Sequence, residues 1–282
     1  MTPTLNIIGC GKVGRVLGRL WAASGVFELR DVLNRTRESA ARAVGFIGAG
    51  RATTDYAVLR PAEVWMIGVP DDAIGSCCER LAAVGHPAAG NVVFHCSGAQ
   101  PAAILAASAG RGASIASAHP VASFADAESM IASFAGTFCC VEGNADAVRT
   151  VAAAFGRIGA RILEIDGASK LVYHAGSVFA ASYLVTLLEV ALQTYEHAGI
   201  PRATALELMQ PLVHGSVANV FGKGTAKALS GPIVRSDFGL IARQQAALDA
   251  WNEPIGELYR RLAEFAAKLA QKQSESSGTE QS

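Results

Sequence analysis

Leu5-Asn6-Ile7-Ile8-Gly9-Cys10-Gly11-Lys12-Val13-Gly14 is the stretch that decides the fold of this chain. Leu5 to Ile8 is an apolar run of strand length, and the residues after Gly14 read as a helix with Gly18 one turn further on. In a strand–turn–helix of this kind the first glycine permits the tight turn. The second lets backbone N–H groups approach a pyrophosphate, and the third allows close helix–strand packing. The phosphates then sit at a helix N-terminus, where unpaired N–H groups and the helix dipole favour an anion. Gly9, Gly11, Lys12, Val13 and Gly14 are therefore candidate dinucleotide-binding residues.

The next apolar run, Phe27 to Leu33, ends in Asn34-Arg35-Thr36, with Arg37 directly after. A site for NAD commonly places Asp or Glu here to accept hydrogen bonds from the ribose 2′-hydroxyl. A carboxylate would repel a 2′-phosphate, whereas a guanidinium binds one bidentately. Asn34, Arg35 and Thr36 thus predict NADP(H) as the cofactor rather than NAD. Alone, Arg35 and Arg37 would read as solvated surface charges; the glycine turn upstream gives them their meaning.

Strand-length runs recur beyond this unit, at Val64 to Val69, Asn91 to His95, Ala113 to Ser117, Thr137 to Val141 and Arg161 to Ile165. Alanine-rich amphipathic segments separate most of them, including Arg37 to Val44, Pro101 to Ala109 and Ala145 to Ile158. That alternation predicts an α/β fold, a Rossmann-type doubly wound parallel sheet with helices on both faces. Near Asp166 the pattern changes. Lys170 to Ala198 reads as one long helix, Pro201 suits the first turn of another, and Phe238 to Lys272 is again helical. Gly222 to Gly224 and Ser230-Gly231-Pro232 read as loops. The expected organisation is an NADP-binding domain over residues 1–165, an all-helical substrate and dimerisation domain over 166–272, and a disordered Ser/Gln/Glu-rich tail over 273–282.

With 282 residues, 51% hydrophobic and 17% charged, the chain has ample material for a core. Its formal net charge is zero and no block of Lys or Arg stands out, which argues against nucleic acid or a membrane surface as partner. No charged leader precedes an apolar stretch, so no signal peptide is expected and the protein reads as cytoplasmic. Leu171 to Leu188 is apolar enough to suggest a membrane span, but it holds His174, Gly176 and several hydroxyls between Lys170 and Glu189. A helix buried in a domain or homodimer core is the expectation. The six cysteines, Cys10, Cys77, Cys78, Cys96, Cys139 and Cys140, show no CxxC and no zinc-binding spacing. They read as small buried residues, and no metal is expected.

Ligands of open parallel sheets bind beyond the carboxyl ends of the strands. Val69-Pro70-Asp71-Asp72, His95-Cys96-Ser97-Gly98 and His119-Pro120 fall in such places. Val69, Pro70, Ser97 and Gly98 are candidate cofactor contacts, and Ser97 and His119 candidate substrate contacts. Pro70-Asp71-Asp72 serves equally well as the cap of a following helix. Lys170 and His174 lie four apart on one helix face. Lys170 is either a snorkelling surface residue or, partly desolvated, the catalytic proton donor for a carbonyl reduction, with His174 orienting the substrate or sharing the proton. Arg235 could clamp a substrate carboxylate, with Asp237 beside it; alternatively Asp237 caps a helix and Arg235 faces solvent.

Taken together, Gly9 to Gly14, Asn34-Arg35-Thr36, Val69 to Asp72, His95 to Gly98, His119-Pro120 and Gly231-Pro232…Arg235-Ser236-Asp237 resemble the Rossmann-like proteins with a C-terminal DUF2520 domain, over nearly the whole chain. That family is similar in architecture to the 6-phosphogluconate dehydrogenase, β-hydroxyacid dehydrogenase, ketopantoate reductase and pyrroline-5-carboxylate reductase group. The resemblance implies an NADP-dependent oxidoreductase whose helical, 6-phosphogluconate-dehydrogenase-like C-terminal domain closes the site and forms the dimer. β-Hydroxyacid dehydrogenases carry a catalytic Lys followed four residues later by Asn. Lys170 matches the Lys, but His174 stands where the Asn would be.

The reaction first expected is hydride transfer between NADPH and a small 2-oxo or hydroxy acid, a ketopantoate-like compound above others. The alternatives are reduction of a cyclic imine of pyrroline-carboxylate type, for which a dedicated Lys matters less, and NADP binding without catalysis.

Overall fold

Residues 1–279 are described by a computed structural model of the chain. The strands are β1 (Thr4–Ile8), β2 (Glu28–Leu33), β3 (Arg51–Thr53), β4 (Val64–Ile67), β5 (Val92–His95), β6 (Ser114–Pro120), β7 (Phe138–Gly143) and β8 (Arg161–Glu164). Among them run α1 (Lys12–Ala23), α2 (Arg37–Ile47), α3 (Ile74–Ala83), α4 (Ala106–Ala109), α5 (Ala127–Ser133) and α6 (Ala145–Arg157). After β8 come α7 (Lys170–Val178), α8 (Leu184–His197), α9 (Arg202–Ala228), α10 (Phe238–Trp251) and α11 (Glu253–Thr279). Two compact units result, residues 1–180 and the residues from 181 onward.

The first unit holds one eight-stranded sheet in the order β3-β2-β1-β4-β5-β6-β7-β8. All neighbours are parallel except β6 and β7, which run antiparallel. The order reverses direction between β1 and β4, where ligands of such sheets bind. β1 and β4 are buried at every position, as strands covered on both faces must be; β4 is a continuous apolar run, while β1 also buries Thr4 and Asn6. One face packs on Trp21, whose ring meets Phe27 and Phe155 edge-on at 5.4 and 5.2 Å and whose indole N–H donates to the Ala154 carbonyl. The other face gathers Ile8, Leu33, Ile67, Val93 and Leu105.

Two buried polar residues inside this apolar framework are fully employed. Asn6 donates to the Arg60 carbonyl and accepts from the Asp31 amide. Burial raises the pKa of the Asp31 carboxyl, but bonds from Arg60 and Arg51 outweigh it and hold the group below its ordinary value. Asp31 sits inside β2 in this ion cluster, so its carboxylate is committed there rather than at the strand's carboxyl end.

Several boundaries differ from the sequence reading. β3 is an additional short strand. β6 continues through His119-Pro120, so these residues lie in the strand rather than after it. Pro101 to Ala109 divides into a 3-10 turn (Ala102–Leu105) and α4. Cys77 and Cys78 lie on α3, whereas Cys139 and Cys140 lie on β7 and point to opposite faces. The long helix from Lys170 contains a π turn at Phe179–Tyr183 between α7 and α8, and the first compact unit runs on to residue 180 rather than ending at 165. Gly222 to Gly224 is no loop: α9 continues across it and kinks where Gly224 takes φ 80°. The last helical segment breaks at Asn252, and α11 carries on past residue 272 to Thr279; residues 280–282 of the expected tail lie outside the described residues.

The second unit is built of α8 to α11 around Leu192, Ala205 and Met209. Within a single chain much of the helical run from Lys170 onward is exposed rather than buried in a domain core: Val172, Phe179 and Val185 are 79%, 68% and 68% accessible. Gly167–His197 is long and apolar enough to cross a membrane by length and composition.

Candidate active site

Gly9 takes φ 78°, and a β-carbon there would run into the Val69 side chain and lie 2.9 Å from its amide nitrogen. Glycine is required at this position. Gly11 differs: a β-carbon on it would meet nothing within 4 Å, so the turn presents open space at the start of α1. The first N–H groups of a helix have no intrahelical partner, and Gly11 offers no capping side chain. Lys12 is exposed beside them and Gly14 is buried against Cys10. An open, glycine-walled cradle with free donors fits the pyrophosphate of a dinucleotide.

Asn34 proves to be a brace. Its Oδ1 accepts from the Cys10 amide at 2.6 Å and its Nδ2 donates to the Ser39 hydroxyl at 3.0 Å. The side chain therefore ties the glycine turn to the end of β2. Thr36 caps α2 by accepting from the Ser39 amide, while the side chains of Arg35 and Arg37 are exposed beside it. Arg35 and Arg37 thus present exposed guanidinium groups at the end of β2.

Pro70 leads from Val69 into a 3-10 turn (Asp71–Ala73), and neither Asp71 nor Asp72 caps α3 through its side chain. The Asp71 charge instead acts on His95, His119 and Lys170.

The centre of the site is a row of cross-strand partners. His95 on β5 pairs with Ser117 on β6, and Ser117 with Glu142 on β7. Directly opposed residues share a sheet face, so these three side chains form one polar row, with His119 and Cys140 two positions along on the same face. Helix α7 lies over them. Its Lys170, Tyr173 and His174 occupy one helix face by their three- and four-residue spacing. Lys170 is 0% exposed; its Nζ donates to the Ser97 carbonyl at 3.0 Å and to the Ser117 hydroxyl, and lies 3.9 Å from Glu142 Oε1. Burial lowers the Lys170 pKa, and the Glu142 carboxylate opposes that shift. The group expected as a proton donor is enclosed and fully partnered.

Tyr173 and Glu142 were not singled out in the sequence. The only signals were the spacing from Lys170 for Tyr173 and, for Glu142, an acid at the end of an apolar strand. The Tyr173 hydroxyl meets His119 Nδ1 at 2.7 Å. Burial raises the Tyr173 pKa, so the phenol is protonated and shares one hydrogen bond with the His119 ring. Burial, aided by the charges of His174 and Lys170, pushes the His119 pKa down to about 4, so the imidazole is neutral at neutral pH. His174 stacks edge-on to His119 at 5.6 Å, and its Nδ1 is buried without a hydrogen-bond partner.

Gly98 lies against both rings. A β-carbon there would collide with His174 Nδ1 and lie 2.9 Å from His119 Nε2. Ser97, Gly98, His119, Lys170 and His174 are therefore brought together. Arg235 and Asp237 belong to the second unit. There the Asp237 carboxylate accepts from the Leu240 amide as the cap of α10, after Ser236 with φ 56°, and the Arg235 side chain is exposed. Among the described residues no cluster of His, Cys, Asp or Glu could hold a metal ion.

The fold and this site define a dinucleotide-binding α/β protein with a helical second unit. A Rossmann-like domain model matches residues 3–120 and the model of a domain of unknown function, DUF2520, matches residues 137–265; the chain belongs to the Rossmann-like proteins that carry a DUF2520 domain. No curated protein matches the sequence. Protein TM1727 from Thermotoga maritima has the same fold, with a TM-score of 0.77 at 21% identity over 96% of this chain and 100% of that one. An imine reductase from Myxococcus stipitatus in complex with NADP+ aligns with a TM-score of 0.64 at 16% identity, covering 97% of this chain and 95% of that one. Pyrroline carboxylate reductase from Plasmodium falciparum, with NADP bound, aligns at 0.59 and 14% identity over 95% and 98%.

Proposed function

We propose that the protein is an NADPH-dependent reductase of a small molecule, and that its substrate presents a carbon–nitrogen double bond. The observation that carries this reading is the convergence of His119 and His174 on Gly98, in the same unit as an open glycine cradle. Gly9, Gly11, Lys12, Val13 and Gly14 would hold the pyrophosphate, with Arg35 and Thr36 at the 2′-phosphate and Val69, Pro70 and Ser97 along the path toward Gly98. When bound, NADPH supplies the hydride.

The protein's own groups then favour one substrate class. A carbonyl needs a proton at oxygen as hydride arrives at carbon. The ammonium expected to deliver it, that of Lys170, is buried and bonded to Ser97 and Ser117, and His119 is neutral. An iminium arrives already protonated. Its N–H would find an acceptor in the unpartnered His174 Nδ1, and the neutral His119 imidazole would orient a polar group of the substrate. The small 2-oxo acid, a ketopantoate-like compound included, is the second reading, with Arg235 as its carboxylate clamp. The exposed apolar helix from Lys170 onward supports a homodimer, because unassociated surfaces seldom keep so many aliphatic side chains in water.

The test is NADPH oxidation by the purified protein with cyclic imines and with 2-oxo acids. Turnover of a cyclic imine, faster with NADPH than with NADH, is expected. Turnover confined to 2-oxo acids would replace the imine by the carbonyl reading. Tight NADPH binding without turnover of either class would make the protein a non-catalytic NADP sensor.

A further inference from the structure

The turn after β5 is held at both ends by one buried ion pair. At its start the Ser97 carbonyl accepts from Lys170 Nζ at 3.0 Å; at its end the Ala102 amide donates to Glu142 Oε1 at 2.7 Å. Lys170 and Glu142 lie 3.9 Å apart, with side chains 0% and 10% exposed. Between these anchors the turn is bonded throughout. His95 accepts from the Ser97 amide and donates to the Pro101 carbonyl, and the Ser97 hydroxyl accepts from the amides of Ala99 and Gln100. Gly98 sits inside this frame with no room for a β-carbon beside His119 and His174. A buried charge is costly unless paired and hydrogen-bonded, and here that requirement is met by backbone atoms of the turn itself. The ion pair can be satisfied only while the turn holds this shape.

We propose that Lys170 and Glu142 are a clamp that fixes the Ser97–Ala102 turn, and that Lys170 acts in the reaction as a positioning residue rather than as its acid. In treating Gly98 as the floor beneath the substrate, this rests on the reductase reading above. The clamp gives His174 a role distinct from that of Lys170 although both stand on one face of α7: His174 meets the substrate, and Lys170 holds the surface on which it lies.

The experiment compares wild type, Lys170→Met and Glu142→Gln as full-length proteins saturated with NADPH, by hydrogen exchange over residues 97–102 and by steady-state kinetics. Exchange at the Gln100 and Ala102 amides is expected to rise about tenfold or more in Lys170→Met. Glu142→Gln, which keeps an acceptor for Ala102, should show a smaller rise and stands in if the lysine variant does not fold. Turnover should fall mainly through KM, and the pH profile of the surviving kcat should keep its wild-type shape, because Lys170 supplies no proton to the reaction. The double variant should lose no more than Lys170→Met alone, since both remove one interaction. Unchanged exchange in both variants overturns the clamp whatever the activity. Loss of the alkaline limb of the kcat profile in Lys170→Met overturns it too, making Lys170 the acid. Loosened exchange in a protein that turns over neither imines nor 2-oxo acids leaves the clamp standing while the reductase reading fails.

Discussion

At Gly98 a single missing methyl group decides what the site can be. The rings of His119 and His174 close on its α-carbon so tightly that any side chain would have to displace them. Overpacking of this kind costs about 1–3 kcal/mol, here through moving the two rings proposed to meet the substrate. Gly98→Ala is therefore expected to lower kcat/KM by about 100-fold, while NADPH affinity, set at the glycine cradle, stays within about threefold. Wild-type kinetics in this variant would show that the rings can give way, and the assigned substrate floor would be wrong. Asn34 teaches the opposite lesson about single residues. It stands at the position of a ribose ligand, yet both ends of its amide are spent on Cys10 and Ser39, leaving the exposed guanidinium of Arg35 to meet a phosphate.

Among the elements, β5 and β6 carry the pH sensitivity of the fold. Burial pushes the His95 pKa down to about 4, and His119 likewise, so both imidazoles fold in the neutral form. In the unfolded chain each titrates near 6.5. Above that pH both states are neutral and nothing is lost. Between about 6.5 and 4 the unfolded chain takes up protons that the folded chain refuses, so stability falls as pH falls. For the fully buried His95 the loss is of order 3 kcal/mol, and for the partly exposed His119 less. Urea denaturation is expected to show a midpoint falling steadily from about pH 7 to about pH 4.5, with a shallower fall in His95→Gln. A midpoint level across that range would mean that neither ring is held neutral. The same two strands show why the turn after β5 is ordered: His95 bonds both Ser97 and Pro101, so the strand end and the turn are one piece.

On the scale of the whole molecule, the run of α7 and α8 carries several apolar side chains that are exposed in a single chain. Leu171, Val172, Phe179, Leu184 and Val185 are all exposed on one continuous helical run. Their burial in a homodimer would contribute about 25 cal/mol for each Å² removed from water. A charge placed among them would have to be desolvated on association. Val185→Glu is thus expected to convert a dimer into a monomer in light scattering at micromolar concentration. A wild-type protein that is itself monomeric would remove the dimer, and an unchanged dimer in the variant would move its interface elsewhere.

The chain order of residues was enough to show the glycine turn and the alternation of strands and helices in the first unit, though not the short β3 or the antiparallel β7. Glycine needs at Gly9 are local, set by a positive φ and a close neighbour, and the alternation of apolar runs with amphipathic helices follows from burial on two sheet faces. That Arg35 stands exposed just past the end of β2 was legible for the same reason, since a strand of fixed length delivers the next residues to the sheet's carboxyl edge. The site beyond the cradle was legible only in its parts. Lys170 and His174 were visible as neighbours on one helix face, but what each touches depends on which strand lies beneath. That was settled when β7 entered the sheet antiparallel to β6, a reversal no local pattern announces. The reversal sets Glu142 opposite Ser117, and Ser117 lies beside His95. This register gives Lys170 its carboxylate, while β6 and the turn after β5 supply the two oxygens it bonds, so the lysine is enclosed by groups distant in the chain. Periodicity is a property of neighbours in the chain; the partners of a buried charge are set by neighbours in space.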